Sequence, residues 1–151
     1  MPIRWNCLPH TELDVATLYE LLALRTQVFV VEQQCAYQEL DGQDLAGDTL
    51  HLMARDGDHQ LLAYARLLDP QRQGGDAVIG RVLIAPSARG LGLGHTLVER
   101  ALEQCQLRWP DAPVVLSAQA HLTEFYARHG FEAVTPPYDE DGIAHVGMRH
   151  R

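Results

Sequence analysis

Hydrophobic positions along this chain change period several times, and each change marks an element. Between Thr11 and about Val31, Val15, Leu18, Leu22 and Phe29 recur at three-, four- and seven-residue steps, which predicts an amphipathic helix with Thr11 or Asp14 placed to cap it. The pattern then breaks into QELDGQDLAGD, Gln38 to Asp48, a polar stretch punctuated by glycine that reads as a loop. TLHLMAR (Thr49 to Arg55) and LLAYARLLD (Leu61 to Asp69) read as two strands of a hairpin turning at Asp56-Gly57, and AVIGRVLIA (Ala77 to Ala85) as a third, more buried strand. Helical spacing returns from the glycine stretch near Gly90 to about Trp109, with Leu93, Leu97, Ala101 and Cys105 on one face and Pro110 beyond the end. PVVLSAQ (Pro113 to Gln119) is a short apolar strand, HLTEFYARHG (His121 to Gly130) a short helix closed by glycine, and FEAV and AHVGMRH supply the last two strands. With no internal repeat or low-complexity segment, this alternation predicts one α/β domain over residues 1–151, built on a mixed sheet.

Composition narrows what such a domain does. A chain of 151 residues that is 46% hydrophobic supports one core, burying roughly 70% of its unfolded surface. No apolar run approaches the roughly 18 residues of a membrane span, and MPIRWNCLPHTELD lacks the apolar centre of a signal peptide, so a soluble cytoplasmic protein without a membrane partner is expected. Three widely spaced cysteines, Cys7, Cys35 and Cys105, indicate neither a disulfide framework nor a CxxC site, and the eight histidines show no HExxH spacing, so no metal is expected. All twelve basic residues are arginine. The absence of lysine removes the Walker phosphate loop, any Schiff-base chemistry and any lysine nucleophile. A net charge of -8 with no basic cluster argues against nucleic acid, whose binding rests on cationic contacts to phosphate.

The informative stretch is PSARGLGLGHTLVERAL, Pro86 to Leu102, where glycines alternate between a buried strand and a helix. Bare backbone N–H groups beside the positive end of a helix make an anion site. The dinucleotide pattern GxGxxG fails because His95 stands where its third glycine belongs, and the Walker loop fails for want of lysine. What fits is R-x-x-G-x-G over Arg89, Gly92 and Gly94, with Gly90 extra; the bland alternative is a tight turn that needs glycine for backbone reasons alone.

ARGLGLGHTLV after VIGRVLIAP resembles the coenzyme A pyrophosphate loop of the GNAT superfamily of N-acyltransferases, and HLTEFYARHGFEAV resembles its second signature, a short helix ending in FYxxxGF. LALRTQVFVVEQQCAYQELDGQD, AYARLL and YDEDGIAHVGM extend the likeness to the ElaA-like branch across nearly the whole chain. The resemblance implies a single-domain GNAT fold, a mixed sheet of about seven strands flanked by helices. That sheet would splay between the strand ending near Ala85 and the one ending near Gln119, with acetyl-CoA wedged into the gap as cosubstrate. The pyrophosphate would then rest on Arg89, Gly90, Leu91, Gly92, Leu93, Gly94 and His95. The pantetheine arm would pair like an added strand with Val82, Leu83 and Ile84, and an N–H near Ile84 would receive the oxyanion of the tetrahedral intermediate. Tyr126 matches the tyrosine of the FY motif, placed to protonate the departing thiolate; Leu122, Phe125 and His129 mark the core stripe of its helix.

An amine near pKa ~10 is protonated at neutral pH and needs a base. Glu32, in the VFVVEQ segment that in this superfamily lines the acceptor pocket, is the first choice, with His145 the runner-up. Glu39, Asp41, Asp44, Asp139, Glu140 and Asp141 would complete a carboxylate-rich mouth suited to an ammonium, with Arg25 an ion-pair partner for one of them. The expected partner is therefore a small-molecule or peptide amine, with a homodimer as candidate assembly. Two other functions fit parts of the pattern: a non-catalytic acyl-CoA-binding module, and an acyl-homoserine-lactone-like synthase suggested by RxxVFVVEQ.

Overall fold

Asp14 caps the first helix by accepting from the Thr17 amide, but the chain has already laid down a strand that its hydrophobic pattern did not announce. The computed structural model describes residues 2–150. In chain order it contains β1 (Arg4–Pro9), α1 (Val15–Thr26), β2 (Leu50–Arg55), β3 (Leu61–Leu68), β4 (Ala77–Ile84), α2 (Leu93–Arg108), β5 (Val114–Gln119), α3 (Thr123–Ala127), β6 (Glu132–Ala133), β7 (Tyr138–Glu140) and β8 (Ile143–His150). The strands form one mixed sheet in the order β1-β2-β3-β4-β5-β8-β6, with β7 also paired to β8. Among the described residues only β4 and β5 run parallel, and the sheet has eight strands where about seven were expected.

Side-chain alternation along the central strands feeds two cores. Leu52, Ala54, Ala63, Ala65 and Leu67 face α2, whose Leu97, Val98, Ala101 and Cys105 are buried against them. Met53, Tyr64 and Leu83 face the other way and meet Leu21 and Val28. Covered on both faces, β3 is buried at every position. Each leucine fully buried in this way contributes about 1.5–3 kcal/mol.

The buried stripe of α1 differs from the one read from spacing. Val15 is 84% exposed, while Leu21 and Arg25 are fully buried; Leu18, Leu22 and Phe29 flank them. The helix is rotated because Arg25 must reach partners beneath it, so a charged side chain occupies a core position that hydrophobic spacing does not register. After Thr26 the helix widens into a π turn, Gln27–Glu32. Among the described residues no helix is long and apolar enough to cross a membrane, and no group of three or more His, Cys, Asp or Glu side chains is arranged to hold a metal ion.

Candidate active site

Strands β4 and β5 pair only at Ala77 with Val114 and Val78 with Val115, then diverge. Beyond that point the sheet has an open seam. The β4 side of the seam carries a bulge, because Tyr64 opposes Leu83 and Arg66 opposes Gly80, leaving Ala65 opposite both Arg81 and Val82. Arg81 holds φ 51 there. Ala85 gives its amide to Leu62 on β3, so strand alternation turns the polar groups of Ile84 and Val82 toward the seam and those of Leu83 toward β3. Of the three residues expected to pair with pantetheine, Val82 and Ile84 thus present main chain to the gap, whereas Leu83 presents a buried side chain to α1. A cavity of about 370 Å³ lies under the bulge, lined by Gly80, Arg81 and Val82 on one side and by Ser117, Tyr126 and His145 on the other.

The glycine loop sits where the seam opens. Gly90 (φ 87) and Gly92 (φ 74) hold left-handed conformations that L side chains rarely adopt, and a Cβ on either would point into open space. Gly92 caps α2 without any side-chain hydrogen bond, so the first-turn amides of this 16-residue helix remain available to an anion. Gly94 differs. A Cβ there would meet the Phe125 ring of α3 at 3.4 Å, about van der Waals contact, instead of open space. Leu93 is buried, Leu91 exposed, and His95 packs on Phe125 with Nδ1 2.8 Å from His129 Nε2.

Tyr126 projects from α3 with its ring edge-on to Phe125 and Phe131. Its hydroxyl has no protein partner among the described residues, and burial pushes the phenol up to about 12. It stays a neutral donor at pH 7. His145, on β8, is nearly buried, and its Nδ1 lies 2.8 Å from the Ile143 carbonyl. A carbonyl only accepts, so Nδ1 carries the proton and Nε2 the lone pair. Glu140 Oε2 stands 3.3 Å from that Nε2.

Glu32 lies elsewhere. It ends the π turn, forms an exposed ion pair with Arg89 of the glycine loop, and does not line the cavity; the hydrogen bond from Arg89 holds its carboxyl below the usual range. Arg89 also donates to the Ile84 carbonyl (3.2 Å). Glu39, Asp41 and Asp44 do not form the expected open mouth either. Glu39 and Asp44 are buried, and all three are claimed by Arg25, Arg66 and Arg81. Arg25 pairs with Glu39 at 3.0 Å and Asp44 at 2.5 Å, and lies 5.7 Å from the Tyr64 ring centre. The carboxylates that do line the cavity are Glu140 and Asp141; Asp139 caps the turn by accepting from the Gly142 amide. Arg81 was missed in the sequence; Glu140 and His145 were each named there, but not as a pair. A glycine inside a strand pattern, Gly80, was the available sign of a bulge.

Residues 14–151 match the family described as an acetyltransferase (GNAT) domain. The chain is 50% identical over 146 residues to protein ElaA of Escherichia coli, which covers 97% of this chain and 95% of that one. It is 42% identical over 151 residues to a UPF0039 protein of Synechocystis, covering 100% and 97%. Among solved structures, an acyl-CoA N-acyltransferase from Pseudomonas aeruginosa superimposes with a TM-score of 0.96 at 59% identity, covering 99% of this chain and 100% of that one. The crystal structure of Escherichia coli ElaA superimposes with a TM-score of 0.93 at 48% identity, with the same coverage of 99% and 100%.

Proposed function

The chain belongs to the GNAT acetyltransferase family, and on that premise we propose that it transfers an acetyl group from acetyl-CoA to a primary amine of a small molecule or peptide by direct attack. The observation that carries this reading is the parting of β4 from β5 after two residue pairs. The parting gives an extended arm a free strand edge, ends that edge at uncapped helix amides, and opens on a cavity lined by Tyr126 as a donor and His145 as a base.

The division of labour follows from position. Amides of Gly90 to His95 take the pyrophosphate, and Val82 and Ile84 pair with the pantetheine amides. A seam-facing amide of the same edge receives the carbonyl oxygen as it becomes an oxyanion. His145 Nε2 takes the proton of the attacking ammonium, with Glu140 stabilising the imidazolium. The nitrogen lone pair forms the new N–C bond, the C–S bond breaks, its electron pair leaves on sulfur as a thiolate that accepts a hydrogen bond from Tyr126, and the second proton of the attacking nitrogen passes to that sulfur, leaving a neutral amide and the coenzyme A thiol. Glu32 braces Arg89 within this scheme and so acts on the cofactor loop. Screening primary amines for thiol release from acetyl-CoA tests the proposal. Release with at least one amine is expected; binding of acetyl-CoA without release on any amine would instead mark a non-catalytic acyl-CoA-binding module.

A further inference from the structure

The cavity has two electrically different walls. Arg66 and Arg81 stand on the β3–β4 side, and Glu140, Asp141 and His145 on the β7–β8 side. The arginine wall is not simply neutralised by its neighbours. Arg81 donates from Nε to the Glu39 carboxylate, and from Nη2 to the Glu39 carbonyl (2.9 Å) and to Asp41 (3.3 Å), yet its Nη1 has no acceptor among the described residues. Arg66 spends Nη1 on Asp41 (2.9 Å) and Asp44 (3.1 Å) and Nη2 on Asp41 (2.8 Å), while its Nε is buried with no partner. Arg66 Nε is a buried donor without an acceptor, which is rare in folded proteins, whereas Arg81 is 21% exposed, lines the cavity, and keeps Nη1 free for an acceptor not supplied by this chain.

The mounting of Arg81 supports the same conclusion. Its backbone is held at positive φ by the bulge, its guanidinium lies 5.8 Å from the Tyr37 ring centre, and two carboxylates grip its other nitrogens. A non-glycine residue in that region of backbone space persists only where the surroundings over-determine it. The result is a rigid cation facing the base across the cavity.

We propose that the acceptor is a small amino-carboxylate, its amine directed to His145 and Glu140 and its carboxylate held by Arg81. This rests on the acetyl-transfer reading of the same cavity. A planar carboxylate matches the free edge of a guanidinium, whereas the second ammonium of a diamine would meet that cation and be repelled.

The test compares glycine, β-alanine and γ-aminobutyrate with n-butylamine and putrescine as acceptors at saturating acetyl-CoA. At least one amino-carboxylate should exceed both amines by about tenfold or more in kcat/KM, mainly through KM, as expected for one charge-assisted hydrogen bond. In Arg81→Gln that advantage should collapse to within about threefold, and Arg81→Lys should restore part of it. The proposal is overturned if the parent protein uses n-butylamine or putrescine as well as the best amino-carboxylate, or if the advantage survives in folded Arg81→Gln. Should Arg81→Gln not fold, the parent's own ranking decides. If no amine releases thiol, calorimetry of the three amino-carboxylates on the CoA-saturated protein separates the two readings. Arg81-dependent binding would uphold the carboxylate site while acetyl transfer fails, and no binding would overturn both.

Discussion

Replacing Tyr126 with phenylalanine removes one oxygen and nothing else that the fold uses. The ring meets Phe125 at 84° and Phe131 at 81°, contacts that phenylalanine keeps, and the hydroxyl makes no hydrogen bond to protein among the described residues. Stability should therefore stay within about 0.5 kcal/mol of the parent, a shift of roughly 1–2 °C in Tm for a chain of this size. The effect on reaction is different in kind. With the phenol pushed up to about 12 by burial, above the ~8.5 of an ordinary thiol, full transfer of its proton to sulfur is uphill, and its contribution is a hydrogen bond to the developing thiolate. A bond to a charged group contributes about 1.5–3 kcal/mol, or roughly 10- to 150-fold in the chemical step. Because that charge exists only as the C–S bond breaks, the loss should appear in kcat with the affinity for acetyl-CoA unchanged. Rapid-quench single-turnover acetyl transfer, with calorimetric titration of coenzyme A alongside, measures both. An undiminished single-turnover rate in a variant that melts with the parent would refute the reasoning.

Gly92→Val places a β-branched residue at φ 74 with its Cβ in the space reserved for the ligand, so coenzyme A affinity in a titration should drop more than about tenfold while circular dichroism stays native. His145→Gln should lower kcat/KM by about 10²–10⁴, whereas Glu32→Gln, which frees Arg89, should act on the KM for acetyl-CoA; a steady-state comparison giving the reverse pattern would restore Glu32 as the base. Arg25→Met takes from buried Glu39 and Asp44 one of their two cations, Arg81 and Arg66 remaining, and should cost about 3 kcal/mol, a fall of roughly 6–12 °C in a melting curve. Burial raises Asp41, but Arg66 more than offsets it and holds the carboxyl at about 2 instead of 3.8. A group depressed on folding stabilises above its unfolded value and loses that contribution as pH falls from 3.8 to about 2, so Asp41→Asn should flatten this part of a Tm-against-pH series.

Elements with strong periodicity were legible, and those held by distant partners were not. The second helix was readable because Leu93, Leu97, Ala101 and Cys105 form one uninterrupted stripe, and all four are buried. The strand RWNCLP was missed because it is short, alternates weakly and ends at Pro9; its register comes from pairing with β2. YDE is exposed at every position and exists as a strand only through β8. The acidic loop read as part of an open carboxylate mouth because nothing local distinguishes a buried carboxylate from an exposed one. Its arginines come from α1, β3 and β4, and only the fold brings them together. Glu32 and His145 were both named, but which of them faces the cavity depends on the π turn, whose wider winding carries no hydrophobic signature.

The early parting of β4 and β5 also bears on how long the chain survives. A sheet normally hides its unpaired edges at its margins, where charge, proline or short length guards them against pairing with other chains. Here two such edges lie in the interior of the sheet, and the guard is the occupant of the seam. A ligand present at a hundred times its Kd adds about 2.7 kcal/mol to the folded state, a large share of what a domain of this size holds in reserve. On the acetyl-transfer proposal that occupant is the acyl donor, so added acetyl-CoA should slow limited proteolysis of the chain, and an unchanged digestion rate would show that the seam needs no such guard.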